Sequence, residues 1–392
     1  MAVTYGDERS GRLAREPVKR NWASAYRPGR HVDVVLLVAA LGLTAFGLLM
    51  IYSATFTDLQ ARGADTLYYV NRQVTSLGLG LLAMAAVTFV DYRIYRAWAP
   101  VVYGCALGLL ALVLLVGAEV HASRSWLVFG GFQLQPSELA KPALILMLAA
   151  LFHERREDAL GLRALCEALG LAAVPMLLIL AQPDLGTFLV FVAIVFGVLL
   201  LARVRVRYML ALAVIGMLAS LGALQLGVVK DYQVERFTAF LNPEDTDTLG
   251  AAYNVNQAQI AIGSGQFAGQ GLFRGSQTSL DYVPENHTDF IFTVIGEELG
   301  FLGAAVLLGL FALLIWRGLR IAAMSRDTFG TLLAGGVVVV LAFQLFVNVG
   351  MAIGIMPVAG LPLPLVSYGG TSLIATFIML GLLQNVHMRR FA

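Results

Sequence analysis

Charged residues are scarce in this chain. Only 13% of its 392 residues are Asp, Glu, Lys or Arg, whereas an average soluble protein has about 25%. Hydrophobic residues make up 58% of the sequence. Over this length, such a composition excludes a single soluble core and predicts a polytopic membrane protein.

Several chemical signatures are also missing from the sequence. The two cysteines, Cys105 and Cys166, fall in apolar runs, which predicts free buried thiols and no disulfide framework. The sequence has no Cys/His cluster with zinc spacing, no Walker loop and no nucleophile–His–acid signature. No cleavable signal peptide is visible, because the apolar run after His31 is too long for one.

Apolar runs close to the length of a membrane span, about 20 residues, recur along the chain. The sequence therefore predicts an all-α fold with ten transmembrane helices, near 33–54, 74–90, 98–117, 137–152, 165–181, 185–202, 208–229, 289–316, 331–355 and 371–387. Gln182-Pro183-Asp184 predicts the turn that divides the fifth helix from the sixth.

The positions of Lys and Arg predict the orientation of these helices. One set of loops and ends, 1–32 included, holds 20 of the 27 basic residues, and the alternate loops hold six. Because basic residues concentrate on the cytoplasmic side, both termini are predicted to be cytoplasmic. Residues 1–32 read as a disordered basic arm, followed by a membrane domain over 33–388.

Two connections on the predicted outside are unusual. Residues 230–288, between helices 7 and 8, are long for a simple loop and contain apolar-periodic pieces, which predicts an extracytoplasmic cap of short helices. The connection PVAGLPLPLVSYGGTS (357–372) is uncharged and rich in Pro and Gly. We interpret it as a re-entrant loop lining a cavity, with a plain surface turn as the alternative.

Carboxylates at the start of the eighth helix need an explanation, because charges in hydrocarbon are costly. Asp289 follows Thr288, a good N-cap, so it is either a helix-capping group or an active group. Helical spacing puts Glu297 loosely on the face of Asp289 and Glu298 on the opposite face. We expect Glu297 to face a cavity and Glu298 to pack against a neighbouring helix.

Four other ionisable residues have similar alternatives. Glu138 and Lys141 are three residues apart, so they form either a purely structural pair or part of a site. Arg124, in ASRSWLVFGG, is a candidate substrate cation or a contact for lipid headgroups, and Asp184 is a site residue or a helix N-cap. A cavity open to the outside with these groups suits an anionic, lipid-linked substrate.

Four motifs carry a resemblance to a known family. In chain order they are QPSELAKPALI, AQPDLGTFLVF, HTDFIFTVIGEELG and PLPLVSYGGTS. Together they resemble the SEDS family (shape, elongation, division and sporulation) of bacterial cell-wall proteins over about 33–388. Residues 261–292 are more similar to the elongation member than to the division member.

The resemblance implies a multi-pass peptidoglycan glycosyltransferase of the bacterial cytoplasmic membrane. Such an enzyme polymerises lipid II into β-1,4 glycan strands beside a class B penicillin-binding protein transpeptidase, with membrane lipids and no nucleic acid as further contacts. It implies Asp289 as the catalytic residue, and the candidate substrate-binding residues are Lys141, Glu138, Arg124, Asp184, Glu297 and Ser367. No metal ligand is assigned, and a divalent cation is left open. The alternatives are a lipid II flippase and a non-enzymatic scaffold.

Overall fold

A computed structural model describes residues 32–120, 123–129, 132–155, 161–225, 234, 236, 240, 250–280 and 282–390. The predicted basic arm therefore lies, but for its last residue, outside the described residues. The structure is mostly helical. Its helices are α1 Val34–Ala61, α2 Tyr68–Phe89, α3 Tyr92–Val116, α4 Pro136–His153, α5 Leu162–Ala181, α6 Leu185–Leu201, α7 Val206–Gln225, α8 Ala251–Ser264, α9 Ser276–Ser279, α10 Ile291–Ala323, α11 Thr328–Ala352 and α12 Gly370–Arg389.

Each predicted membrane segment coincides with one of these helices. Among the described residues, seven helices are long and apolar enough to cross a membrane, namely α1, α2, α3, α5, α10, α11 and α12. Helices α6 and α7 are apolar but shorter over their described parts, and α4 has 18 residues. The count of ten spans and their orientation stay predictions.

Short polar residues begin several of the helices. The side chains of Asp33, Asp91, Asp184 and Asp327 each accept a hydrogen bond from a backbone N–H in the first turn of α1, α3, α6 and α11. Such bonds satisfy donors that have no partner within the helix. Between α5 and α6, the predicted turn at 182–184 is confirmed.

A three-stranded antiparallel sheet lies between α3 and α4, so the expectation of a purely α fold is wrong here. Its strands are β1 Ala118–Val120, β2 Ser123–Phe129 and β3 Phe132–Leu134, in that order. Leu127 pairs with Leu134, and Phe129 with Phe132. The signal was present in the sequence, because Gly130-Gly131 between two β-forming runs is typical of a two-residue hairpin turn.

The described part of the predicted cap packs closely on α10. A Cβ on Gly296 would lie 2.9 Å from Ile262 Cγ1 of α8. Gly300, at φ +62, interrupts the helical backbone of α10, and a Cβ there would clash with the backbone N of Gly269. These glycines permit close packing between α10 and the described part of the cap. Most of 226–249 lies outside the described residues.

The cysteines are free, as expected, but not buried. Cys105 on α3 and Cys166 on α5 are both exposed on the surface of the protein. An apolar run predicts membrane burial of a thiol and does not reveal whether the thiol faces lipid or protein.

Candidate active site

Asp289 lies in the turn that precedes α10. The N-cap of α10 is Phe290 and its first residue is Ile291, so the prediction that Thr288 caps this helix is wrong. The backbone N–H of Asp289 donates to the carbonyl of Glu285 at 3.1 Å. The carboxylate therefore stands outside the helix and is only half-buried, which reduces the cost of its charge.

Gly360 faces the carboxylate of Asp289. At Gly360, φ is +65°, and a Cβ there would lie 3.5 Å from Asp289 Oδ2 and 3.7 Å from Arg236 Nη1. A carboxylate and a guanidinium therefore approach the same point, and among the described residues no other atom competes with them for it.

Asn348 of α11 joins the turn of Asp289 to the chain that carries Gly360. Its Nδ2 donates to the carbonyl oxygen of Asp289 and to that of Leu361, both at 2.8 Å. Asn348 is completely buried. A buried donor is costly to leave without an acceptor, so the Asn348 amide holds both carbonyls in place. The backbone of Asp289 is thereby fixed, and with it the position from which its carboxylate projects.

The chain from 353 to 369, between α11 and α12, is irregular, and its part from 361 to 367 is enclosed by protein. The side chains of Leu361 and Val366 are 1% and 0% exposed. Gly47 of α1 leaves room for the carbonyl of Val366, which would lie 2.5 Å from a Cβ at this glycine, and Gly186 of α6 does the same for the carbonyl of Ala359. This arrangement is not a plain surface turn, while the lining of a cavity stays a prediction.

Ser367 lies within this irregular segment and is 4% exposed. Its hydroxyl oxygen accepts from the backbone N–H of Leu363 at 2.9 Å. Gln73 of α2 donates to the carbonyl of Ser367 at 3.0 Å. The hydroxyl thus has a role in shaping the segment, and its predicted role in binding substrate stays a prediction.

Glu138 and Lys141 form the expected pair at the start of α4. Lys141 Nζ and Glu138 Oε1 are 2.6 Å apart, and the two side chains are 0% and 3% exposed. Partnership of the two charges reduces the cost of burying them. Lys141 is therefore enclosed and already paired, which leaves it poorly placed to receive a substrate anion directly.

Asp184 caps α6 and lies near this pair. Its Oδ1 accepts from the backbone N–H of Thr187 at 2.9 Å and its Oδ2 from the hydroxyl of Thr187 at 2.7 Å. The pKa of Asp184 is raised above its usual value, because the effect of burial exceeds the opposing effects of the bonds from Thr187 and the charge of Lys141. Gln135 Nε2 also donates to Asp184 Oδ2 at 3.3 Å. The capping role of Asp184 is thus confirmed. Its carboxylate forms a polar cluster with Gln135, Glu138 and Lys141 at the starts of α4 and α6.

Glu297 and Glu298 have separate sets of partners, as their opposite faces predicted. Glu297 is fully buried and accepts from the backbone N–H groups of Gln277 and Thr278 at 2.7 and 3.0 Å. Glu298 accepts from Ser53 Oγ of α1 at 2.6 Å, which is the expected contact with a neighbouring helix. These bonds favour an anchoring role for Glu297, and its predicted role at a substrate cavity stays a prediction.

Arg124 belongs to β2, where its backbone is part of the sheet. Its side chain lies outside what the structure describes, so its predicted role as a substrate cation stays a prediction. Among the described residues, no group of three or more His, Cys, Asp or Glu side chains is arranged to hold a metal ion.

Sequence reasoning missed several residues around Asp289. Arg236 entered only the charge count of the outside loops, and Asn348 was taken as part of an apolar helix. An aromatic cluster of Tyr69, His287 and Tyr368 also adjoins the site, with ring centroids 4.7 to 5.8 Å apart. The polar side chain of Asn348 inside a predicted membrane helix is a signal that could have identified it.

The site is thus built where helix ends meet. Asp289 before α10, the enclosed segment before α12 and the polar cluster at the starts of α4 and α6 lie together at one set of helix ends. These features define a multi-pass membrane protein whose ionisable groups gather near one set of helix ends.

Comparison with known proteins identifies the family. The family model described as "Cell cycle protein", which covers FtsW, RodA and SpoVE, matches residues 33–391. The chain belongs to this family, which confirms the resemblance found in the four motifs.

Named relatives come from more than one branch of the family. The chain is 40% identical over 360 residues to "Peptidoglycan glycosyltransferase MrdB" of Escherichia coli (strain K12), covering 92% of this chain and 94% of the relative. It is 37% identical over 357 residues to "Stage V sporulation protein E" of Bacillus subtilis (strain 168), covering 90% of this chain and 96% of the relative.

Solved structures share the fold. One is a chain described under "Structural coordination of polymerization and crosslinking by a peptidoglycan synthase complex", with a TM-score of 0.77 and 34% identity over 92% of this chain and 98% of that chain. Another is the rod shape determining protein RodA of Thermus thermophilus, with a TM-score of 0.68 and 34% identity over 92% of this chain and 98% of that chain.

Proposed function

We propose that this chain is a peptidoglycan glycosyltransferase that polymerises lipid II at the outer face of the bacterial cytoplasmic membrane, for cell elongation and rod shape. The observation that carries the proposal is the half-buried carboxylate of Asp289, outside α10 and beside the open point at Gly360. Relatives named as peptidoglycan glycosyltransferases support the activity.

Asp289 acts as the general base. A sugar hydroxyl attacks the anomeric carbon of the lipid-linked donor, its proton passes to the carboxylate, and the lipid diphosphate departs. The donor is α-linked and the product β-1,4, so one direct inversion with one base is sufficient. A positioned base contributes about 10²- to 10⁴-fold to such a step.

A class B penicillin-binding protein is the proposed partner. It crosslinks the glycan strands that this chain polymerises. The similarity to a chain of a peptidoglycan synthase complex that coordinates polymerization and crosslinking supports this assignment.

Asp289→Asn tests the proposal. The substitution keeps the size of the side chain and removes the base, so we expect normal membrane insertion and a polymerisation rate lower by at least about 100-fold. The measurement is glycan polymer formed from lipid II by purified protein. Asp58→Asn is the matched control, because Asp58 is an exposed carboxylate paired with Arg62, and we expect it to keep the wild-type rate.

The same assay separates the polymerase from its alternatives. A flippase or a scaffold makes no polymer when purified protein meets lipid II in detergent. If the wild type forms polymer and a well-folded Asp289→Asn variant forms nearly as much, the proposed activity stands. Asp289 is then not its general base.

A further inference from the structure

The proposed reaction needs a cation at the departing diphosphate, and Lys141, one of the two residues predicted for this role, is not well placed for it. Lys141 has a fully buried side chain that is paired with Glu138 at 2.6 Å. A diphosphate carries its negative charge on several oxygens, and the planar fork of an arginine binds such oxygens in a bidentate manner.

Arg236 places a guanidinium beside the base. Its Nη1 and the Oδ2 of Asp289 both lie within 4 Å of the position that a Cβ on Gly360 would occupy. Arg236 is half-buried, so its charge is partly shielded from water and acts more strongly on a neighbouring anion than a fully exposed charge would. Gly360 has φ +65°, a conformation that side chains other than glycine rarely adopt.

We propose that Arg236 binds the departing diphosphate, and that Gly360 keeps open the point where the cation and the base meet. This inference rests on the proposed function and adds a residue to it. In the step, the acceptor oxygen forms a bond to the anomeric carbon and loses its proton to Asp289. The bond from that carbon to the diphosphate oxygen breaks, and its electron pair stays on the diphosphate, which Arg236 stabilises.

Arg236→Ala and Arg236→Lys test the role of the cation. In polymerisation assays with lipid II, we expect Arg236→Ala to lower kcat/KM by at least about tenfold, since bonds to charged groups are among the strongest. We expect product inhibition by undecaprenyl diphosphate to weaken by a similar factor. Arg236→Lys keeps the charge without the fork, so we expect values between the two.

Arg62→Ala is the matched control, because Arg62 belongs to an exposed Arg–Asp pair with Asp58, and we expect wild-type constants. A purely structural role of Arg236 would lower kcat and leave the inhibition constant for undecaprenyl diphosphate unchanged, and that result would overturn the inference. If Arg236→Ala does not fold, the inhibition constant of Arg236→Lys decides between the same two outcomes. Absence of polymer from the wild type would instead count against the proposed function.

A pair of glycine substitutions tests the open point. Gly360→Ala adds a Cβ 3.5 Å from Asp289 Oδ2 at φ +65°. Gly63→Ala adds one at φ +64° with no described atom within 4 Å, so the backbone strain is matched and only Gly360→Ala places a methyl group against the base. We expect Gly360→Ala to lose at least about tenfold in kcat/KM, because a small misplacement at reacting groups has a large effect, and Gly63→Ala to stay near wild type. Equal effects of the two would overturn the role of Gly360.

Discussion

At the scale of single residues, carboxylate side chains have different roles at different positions of this protein. The carboxylate of Glu138 neutralises a buried lysine, that of Asp184 begins a helix, and that of Asp289 stands beside an open point. Their partners differ because each lies at a different helix end. The carboxylates of Glu138 and Asp184 already have short bonds to buried donors, which makes them less available to a substrate.

The Glu138–Lys141 pair leads to a prediction of non-additivity. Glu138→Ala or Lys141→Ala leaves one buried charge without its partner, whereas the double substitution removes both. We expect the two single losses in thermal stability to sum to more than the loss of the double variant, with a coupling of about 0.5–3 kcal/mol. Thermal unfolding of the four proteins in detergent measures the coupling.

Arg163→Ala and Glu167→Ala serve as the control cycle. Their pair lies 3.1 Å apart with a highly exposed arginine, so its coupling should be near zero. Additive losses at Glu138 and Lys141 would argue against a pair that stabilises the protein. If the double variant recovers thermal stability but not polymerisation, Lys141 has a second role in binding the substrate.

At the scale of elements, the cap is held to α10 by buried carboxylates. Glu297 accepts from the backbone N–H groups of Gln277 and Thr278 in α9. Glu298 accepts from the hydroxyl of Ser53, whose oxygen also accepts from the backbone N–H of Phe273. The turn of Asp289 follows the cap directly in the chain. Anchoring the cap therefore restricts where the turn of Asp289 can lie.

Glu297→Gln tests this anchor. Glutamine replaces one acceptor oxygen with a donor that faces N–H groups, so we expect a local cost of about 1–3 kcal/mol. Hydrogen exchange should become faster at the backbone amides of Gln277 and Thr278. Glu154→Gln, at an exposed carboxylate that ends α4, is the control and should leave exchange unchanged. Unchanged exchange in Glu297→Gln together with a raised KM would favour the predicted role of Glu297 at a substrate cavity.

At the scale of the whole molecule, the proposed reaction requires one orientation in the membrane. Lipid II is polymerised outside the cytoplasmic membrane, so Asp289 must face that side. The excess of basic residues on the opposite loops predicts this orientation.

Cysteine labelling tests the orientation. In a protein with the exposed Cys105 and Cys166 replaced, we expect Leu280→Cys to react with a membrane-impermeant maleimide in spheroplasts, because Leu280 is 63% exposed and lies on the Asp289 side. We expect Arg163→Cys, at a side chain 89% exposed, to react only after permeabilisation. The reverse pattern would place Asp289 in the cytoplasm and end the polymerase proposal.

The sequence by itself determined the membrane class, the positions of the long helices, the turn at 182–184 and the family. These properties depend on hydrophobicity, charge and motif order, which are read along neighbouring residues. The pairing of 123–129 with 132–134 was also within reach of the sequence, since the Gly130-Gly131 pair is a local signal for a hairpin.

Only the tertiary structure decided which ionisable groups have partners. Residue spacing put Glu297 with Asp289, but contacts with α9 engage Glu297, and Gly360 and Arg236 lie beside Asp289 instead. Gly360 and Arg236 are separated from Asp289 by dozens of residues in the chain, so no local pattern relates them. The physical reason is that the cost of a buried charge depends on every group around it, and the fold brings those groups together from distant segments.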